Sequence, residues 1–457
     1  MKELLGRAVA GLAVDYVDIR HEENRRIRIA FRGRRLSDIA EYSNSGSHVR
    51  VYDRGGKATA SVSDPDRLHA AARSAAAAAR LVGSRRESPL RLAPRAGESG
   101  SFPVRTPNDV RRLSLSEKLA LVSHYNDQIL RDPTVVDTEA DYDEFVSRRT
   151  LVTSEGQAVE YELVNVTIYG LIITKQEGVV QRVRFAFGGC EDGARLLGRE
   201  EDLAQLTAIA HDLPLAEPAR AGTLPVILDP SEAGLFIHEA FGHLSEADGL
   251  QNNPGFRARL KLGVTLGGPI LNVTDDATLP ALPGSYEVDD EGSSARKTRL
   301  ISDGRLTGRL HSRETAAEFG EPPSGNMRAV DAHFTPLIRM SNIFIEPHGA
   351  ALDDMVASID HGYYLCGAKG GQTTGDQFTF GATWGYRIEG GRIGALVRDI
   401  NMSGELFSTL AAISMVGNDL SFAERGGCGK GGPQQLNRKS GKGAPHIKID
   451  RVTVGGV

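Results

Sequence analysis

Two histidines and a glutamate stand close together in "LDPSEAGLFIHEAFGHLSEADGL", residues 228–250: His238, Glu239 and His243. Neutral imidazoles are common zinc ligands, and a carboxylate beside one of them is well placed to act as a general base. The familiar zinc-protease helix spaces its histidines four apart, as H-E-x-x-H. Here they are five apart. A regular α-helix turns by about 100° per residue, so i and i+4 differ by roughly 40° but i and i+5 by roughly 140°. A straight helix therefore cannot aim both rings at one ion. One extra residue in the turn, as in a π-bulge, restores the alignment, and such bulges concentrate at functional sites. Gly242, just before the second histidine, is where a distorted backbone costs least. The same glycine could instead end the helix and let His243 return from the turn.

A catalytic zinc needs a third protein ligand and one open position. Three residues compete for that role. Glu246 follows His243 by three residues and faces the same side of a helix; Asp248 comes next; Cys428 lies far away in the Gly-rich "ERGGCGKGG". Spacing alone puts Glu246 first. The bland alternative for the whole motif is a pair of partly buried histidines around an ordinary helix end.

The elements that must hold these residues can be read next. Asp229-Pro230-Ser231-Glu232 predicts a helix start, with Asp as N-cap, Pro at N1 and Glu at N3 in a capping-box pattern. The short apolar run "PVILD" before it predicts a buried strand. Upstream, a first helix is followed by "DYVDIRHEENRRIRIAFR", read as two strands around a polar turn. "SHVRVYDRGGKATASVS" reads as a strand pair around Arg-Gly-Gly, and an Ala-rich helix follows. Residues 83–110 read as an irregular connector, Ser114 to Glu117 as a capping box, 135–188 as several strands, and 195–211 as a helix. The Pro-rich stretch 212–225 is the best boundary, dividing the chain into 1–220 and 221–457. Beyond it come short strands with hairpin turns at Asp303-Gly304 and Gly390-Gly391, a helix near 404–414 and a closing strand. The fold class expected is α+β: a mixed N-terminal domain, then a mainly antiparallel β domain that carries the metal-binding helix.

Composition narrows the function classes. A chain of 457 residues with 40% hydrophobic and 25% charged residues can bury a sizeable core. The formal net charge of −5 gives no support to a nucleic-acid partner. The basic run "RRIRIAFRGRR" reads as a solvated strand face. Three widely spaced cysteines, Cys190, Cys366 and Cys428, argue against a disulfide framework and fit a reducing compartment. The N-terminal apolar stretch is too short to span a membrane, so no membrane association and a cytoplasmic location are expected.

Together with "VTDDATLP", "GSYEVDDEG", "TRLISDGRLTGRLHSRETA", "IRMSNIFIEPHG" and "GGCGKGGPQQLNRKSGKGAPHIKIDRVTVGG", the helix motif resembles the TldD/PmbA family, and more closely its TldD branch. The resemblance implies a zinc peptidase acting on peptides or unfolded segments. It implies metal ligation by His238, His243 and Cys428, with Glu239 as the catalytic base. That displaces Glu246 to a supporting place. The family also implies a dimer, either a homodimer or a heterodimer with a TldE/PmbA-type subunit. One departure is the run from Cys428 to Pro445, which is longer than the resemblance implies. The family's description as modulators of DNA gyrase finds no counterpart in this chain's charge. The rival function is a non-catalytic binding or scaffold subunit of a TldD–TldE-type complex; Glu239 and both histidines speak against it. The acids of "TDDATLP" and "VDDEGSS" read as turn and capping residues, and Trp384 and Tyr386 as sheet residues that could face a peptide groove.

Overall fold

The computed structural model describes residues 1–95, 97–251, 253–430 and 440–456. Its first half is built on a seven-stranded sheet of long, twisted strands. These are β1 (Tyr16–Arg32), β2 (Arg35–Asp53), β3 (Gly56–Val62), β4 (Gly100–Phe102), β5 (Val135–Thr153), β6 (Ala158–Gln176) and β7 (Val179–Cys190). Their order is β3-β2-β1-β5-β6-β4, with β7 also on β6. Only the short β4 runs parallel to its neighbour. The helices α1 (Lys2–Ala10) and α2 (Leu68–Gly83) cover one region of this sheet through Leu5, Leu68, Ala72 and Ala79. Two more, α3 (Leu115–Ile129) and α4 (Glu200–Asp212), cover another through Val122, Tyr125, Leu203 and Ala210.

The polar run His21 to Arg26 is not a turn. β1 continues through it for 17 residues and stays in antiparallel register with β2, pairing His21 with Ser47 and Asn24 with Asn44. Partners brought by the fold satisfy the polarity. Glu22 is buried between Arg20 (2.6 Å) and Arg149 (3.1 Å), Asn24 bonds Asn44 (3.0 Å), and Arg26 pairs with Asp143 (2.6 Å). The basic run is accordingly a strand face, but an ion-paired one.

The second half holds an eight-stranded and a six-stranded sheet. Pairing is mostly antiparallel. Among the described residues three strand–strand pairings are parallel, besides isolated bridges: Gly222–Leu228 with His361–Thr374, Asn342–Ile345 with Gly441–Ala444, and Glu217–Pro218 with Arg392–Arg398. The last anchors the Pro-rich 212–225 stretch, which is therefore held to the sheet and not a free linker. The hairpins at Asp303-Gly304 and Gly390-Gly391 form as the sequence predicts. The late helix is shorter than expected, at Leu406–Ala411. Both sheets contribute to one core, in which Val226, Leu228, Val273, Ile343, Phe378, Phe380, Ile447 and Ile449 surround a single helix, α5 (Pro230–Ile237).

The two halves meet across a seam of buried ions. Asp290 takes Arg149 (2.7 Å) and the Tyr161 hydroxyl, Glu291 takes Arg50, and Arg50 also holds Asp18 (2.6 Å). The "VDDEG" acids thus do more than close a turn. Asp289 does cap it, accepting from the backbone of Glu291 and Ser293, but its two neighbours bind the first sheet. Among the described residues no helix is long and apolar enough to cross a membrane.

Candidate metal centre

α5 starts on Asp229, whose Oδ1 accepts from the Glu232 backbone N–H at 2.7 Å, with Pro230 at N1. The reciprocal half of the predicted capping box is absent. Glu232 turns inward, fully buried, and neither carboxylate oxygen finds a partner. Burial, reinforced by the nearby Asp229, pushes its pKa well above the carboxylate range.

After Ile237 the helix widens. His238–Gly242 form one π-turn, and the α-helical hydrogen-bond pattern resumes at His243–Ser245. Five residues thus complete a turn where four normally would, which brings His238 and His243 onto one side. Their ring centroids are 5.4 Å apart and nearly perpendicular. Leu235, Phe236, Ile237, Ala240 and Phe241 are buried on the remaining faces, with Phe236 edge-on to Phe378 and Phe380. Gly242 is needed for a reason the spacing does not reveal. Its backbone is ordinary right-handed helix (φ −53°, ψ −46°). A Cβ there would instead lie 2.1 Å from Met340 Sδ and 3.1 Å from Ile343 Cδ1.

Cys428 arrives from the far end of the chain. One donor atom from each of His238, Glu239, His243 and Cys428 can be chosen such that all lie within 4.8 Å of one another. His243 Nε2 is 3.0 Å from Cys428 Sγ and 3.7 Å from Glu239 Oε2; His238 Nε2 is 3.9 Å from Glu239 Oε1. His238 is 1% exposed and neither ring nitrogen has a hydrogen-bond partner. Burial holds its pKa well below the usual value, so the ring is neutral. A buried imidazole with no protein partner next to a thiol and a second imidazole is what a metal ligand set requires.

Glu246 does not join this group. Its Oε2 sits 3.1 Å from His243 Nδ1, the nitrogen facing away from Cys428. Burial opposes its charge, but Lys430 and His243 outweigh that and hold its pKa well below the carboxylate range. His243 in turn is penalised by burial, yet Glu246 and Cys428 raise it to about 10. The pocket therefore asks for positive charge at His243, a demand that a metal cation on Nε2 meets as well as a proton does. Carboxylate–histidine pairs of this kind fix the ring and tautomer of a metal-binding imidazole.

Two cations hold the cysteine segment in place. Lys430 Nζ donates to Glu246 (2.8 Å), Asp248 (2.7 Å) and the Ile338 carbonyl (3.1 Å). Arg339 Nη2 donates to the Cys428 carbonyl at 2.6 Å. Asp248, the other acid weighed as a ligand, is spent on Lys430. Most of the extended run after Cys428, residues 431–439, lies outside the described residues.

The centre borders a cavity of about 1220 Å³ between the first sheet and the second half. Cys428, Lys442, Trp384 and Ala368 form part of one wall, and Asn24, Arg25, Arg26 and Tyr42 part of another. Trp384 thus faces the groove, whereas Tyr386 stacks on Tyr364. Cys190 and Cys366 are buried free thiols.

Comparison with known proteins agrees with the motifs. Residues 221–456 match the PmbA/TldA metallopeptidase C-terminal domain, and residues 17–79 match PmbA/TldA metallopeptidase domain 1. A metalloprotease of Synechocystis is 37% identical over 100% of this chain and 97% of its own length. A metalloprotease of Methanothermobacter thermautotrophicus is 32% identical over 97% and 96%. A zinc metalloprotease TldD homolog of Saccharolobus solfataricus is 40% identical over 52% of each chain. The crystal structure of TldE from Thermococcus kodakarensis has the same fold, with a TM-score of 0.76 over 100% of both chains at 19% identity. The chain belongs to the PmbA/TldD family of metallopeptidases.

Proposed function

We propose that the protein is a zinc-dependent peptidase hydrolysing peptide bonds in peptides or unfolded segments. In this reading His238, His243 and Cys428 hold the metal and Glu239 is the general base. The observation that carries it is the approach of four donor atoms to within 4.8 Å around a histidine whose ring nitrogens are buried and unpartnered. The donor set, two imidazoles and a thiolate, suits zinc and leaves a fourth position for reactants. When bound, zinc supplies Lewis acidity that polarises a peptide carbonyl and acidifies water.

The chain's own residues do the rest. Glu239, with its carboxylate within 4 Å of both histidine Nε2 atoms, accepts a proton from the attacking water and returns it to the leaving amine. Glu246 fixes His243 through Nδ1, and Arg339 and Lys430 hold Cys428 in reach. The cavity, about 1220 Å³, has room for an extended peptide segment. The same proposal includes a cytoplasmic location, a homodimer or a heterodimer with a TldE/PmbA-type subunit, and a division of the chain at about residue 220.

The test is metal analysis of the purified protein with cleavage of a mixed peptide library, repeated on Glu239→Gln. About one zinc per chain is expected. The variant should keep the metal and lose activity by about 10²–10⁴-fold. Absence of metal and of cleavage, alone or with a TldE/PmbA-type partner, would sink the reading. Activity that needs such a partner and is indifferent to Glu239→Gln would favour the alternative, a non-catalytic subunit.

A further inference from the structure

Six cationic side chains line the cavity: Arg25, Arg26, Arg28, Arg184, Arg425 and Lys442. The first three are neutralised within the molecule, by Glu41 (2.7 Å), Asp143 (2.6 Å) and Asp141 (3.0 Å). The other three are not. Among the described residues no carboxylate forms an ion pair with Arg184, Arg425 or Lys442. Arg184 donates to the Lys369 carbonyl, and Arg425 lies over the Tyr169 ring at 3.7 Å, neither of which cancels charge.

Of the four acids on the cavity wall, two are paired with arginines and two are held by backbone N–H groups. Asp143 serves Arg26, Glu424 serves Arg199 (2.8 Å), Asp229 accepts from the backbone of Glu232 and Gly367, and Asp331 from that of His333. Arg184, Arg425 and Lys442 thus put cations without an ion-pair partner among the described residues on one cavity of a chain whose net charge is −5. The three cations also feel one another. Arg184 is held below its usual pKa by burial and by Arg425, and Lys442 by burial and, more weakly, by Arg184. Lys442 is close enough to Glu239 and Cys428 to be influenced by their charges, so the cluster begins beside the reacting groups. Like charges gathered in a concavity without counter-ions raise the local concentration of anions and bind them on entry.

We propose that Arg184, Arg425 and Lys442 receive a carboxylate of the peptide substrate and seat it near the scissile bond. The inference rests on the peptidase reading above and names the substrate class of that site. The carboxylate has two sources, the free C-terminus of the peptide or an acidic side chain.

The experiment uses full-length zinc-loaded Glu239→Gln protein, which does not need turnover to report. Four fluorescent peptides of one sequence are compared by anisotropy: a free C-terminus with neutral side chains, its C-terminal amide, the amide with one internal Glu, and the amide with Gln in that place. At least one carboxylate peptide should bind about 10- to 100-fold tighter than its neutral counterpart. Added Arg184→Gln and Arg425→Gln substitutions should together remove that gap, while leaving neutral peptides bound as before. A gap for the free C-terminus assigns the site to the α-carboxylate, and one for Glu assigns it to the side chain; both support the proposal. Equal binding of all four peptides, no binding, or a gap that survives both substitutions overturns it. Cleavage of the same peptides by the unsubstituted protein is read separately, so a wrong substrate class and a wrong function give different results.

Discussion

Replacing Lys430 with Met tests how the cysteine segment and the histidine helix are joined. Lys430 Nζ touches both Glu246 and Asp248 within 2.8 Å, and the Glu246 side chain is 1% exposed. Removing one partner of a buried ion pair typically costs about 3–5 kcal/mol. Two features reduce that here. The Lys430 side chain is 21% exposed, and Arg339 Nε remains 4.0 Å from Glu246 Oε1. A loss of about 2 kcal/mol in the metal-free protein is expected, read as a lower denaturant midpoint with an unchanged slope. Metal affinity, measured by competition with a chromophoric chelator, should fall by about 10- to 100-fold because the support of His243 and the tether of Cys428 loosen together. In the double variant with Glu246→Gln the stranded carboxylate is gone. Gln still accepts from His243, so about 1–2 kcal/mol of the stability should return. A single variant within about 0.5 kcal/mol of the parent, or strict additivity in the double variant, would refute the coupling.

Two further outcomes follow from buried charge. Burial, aided by Arg20 and Arg50, lowers the His48 pKa from 6.5 to about 3. The unfolded chain therefore takes up a proton between those values that the folded chain refuses, and stability falls as pH drops through that window. His48→Gln should lose about 2 kcal/mol less than the parent on going from pH 7.5 to 5 in urea denaturation; parallel curves would show that His48 is not the group responsible. Arg50→Met strands Asp18 and Glu291, both buried, and should cost about 3–5 kcal/mol in the same assay, with part recovered by adding Glu291→Gln.

What could be read in the sequence depended on how far apart the interacting residues lie. The five-residue spacing of His238 and His243 demands an irregular turn, and the π-turn is local enough for spacing to foresee it. Gly242 was legible as an exception but not for its cause, since Met340 and Ile343 are about a hundred residues away. Glu246 was correctly placed on the face of His243. Spacing cannot say which ring nitrogen it meets, and the answer is Nδ1, the one facing away from Cys428. Cys428 is one of three candidates by residue type and is put first only by resemblance to a family, because a lone cysteine in a glycine-rich segment carries no periodic signal. The polar stretch of β1 was misread for the same reason: Arg149 and Asp143, which make Glu22 and Arg26 tolerable in a strand, are more than a hundred residues downstream. Lys430 and Arg339 were visible as charges, but their partners were not.

The buried ionic seam has a consequence for how such a chain can be recombined. Asp290 and Glu291 lie after residue 220, while Arg149, Arg50 and Arg20, which neutralise them, lie before it. Neither half on its own balances the charges it buries. A chimera that joins the first part of this protein to the second part of a relative will be sound only if the arginines and acids travel as matched sets. Exchange of whole halves is constrained at these few positions even where the surrounding apolar residues would tolerate it.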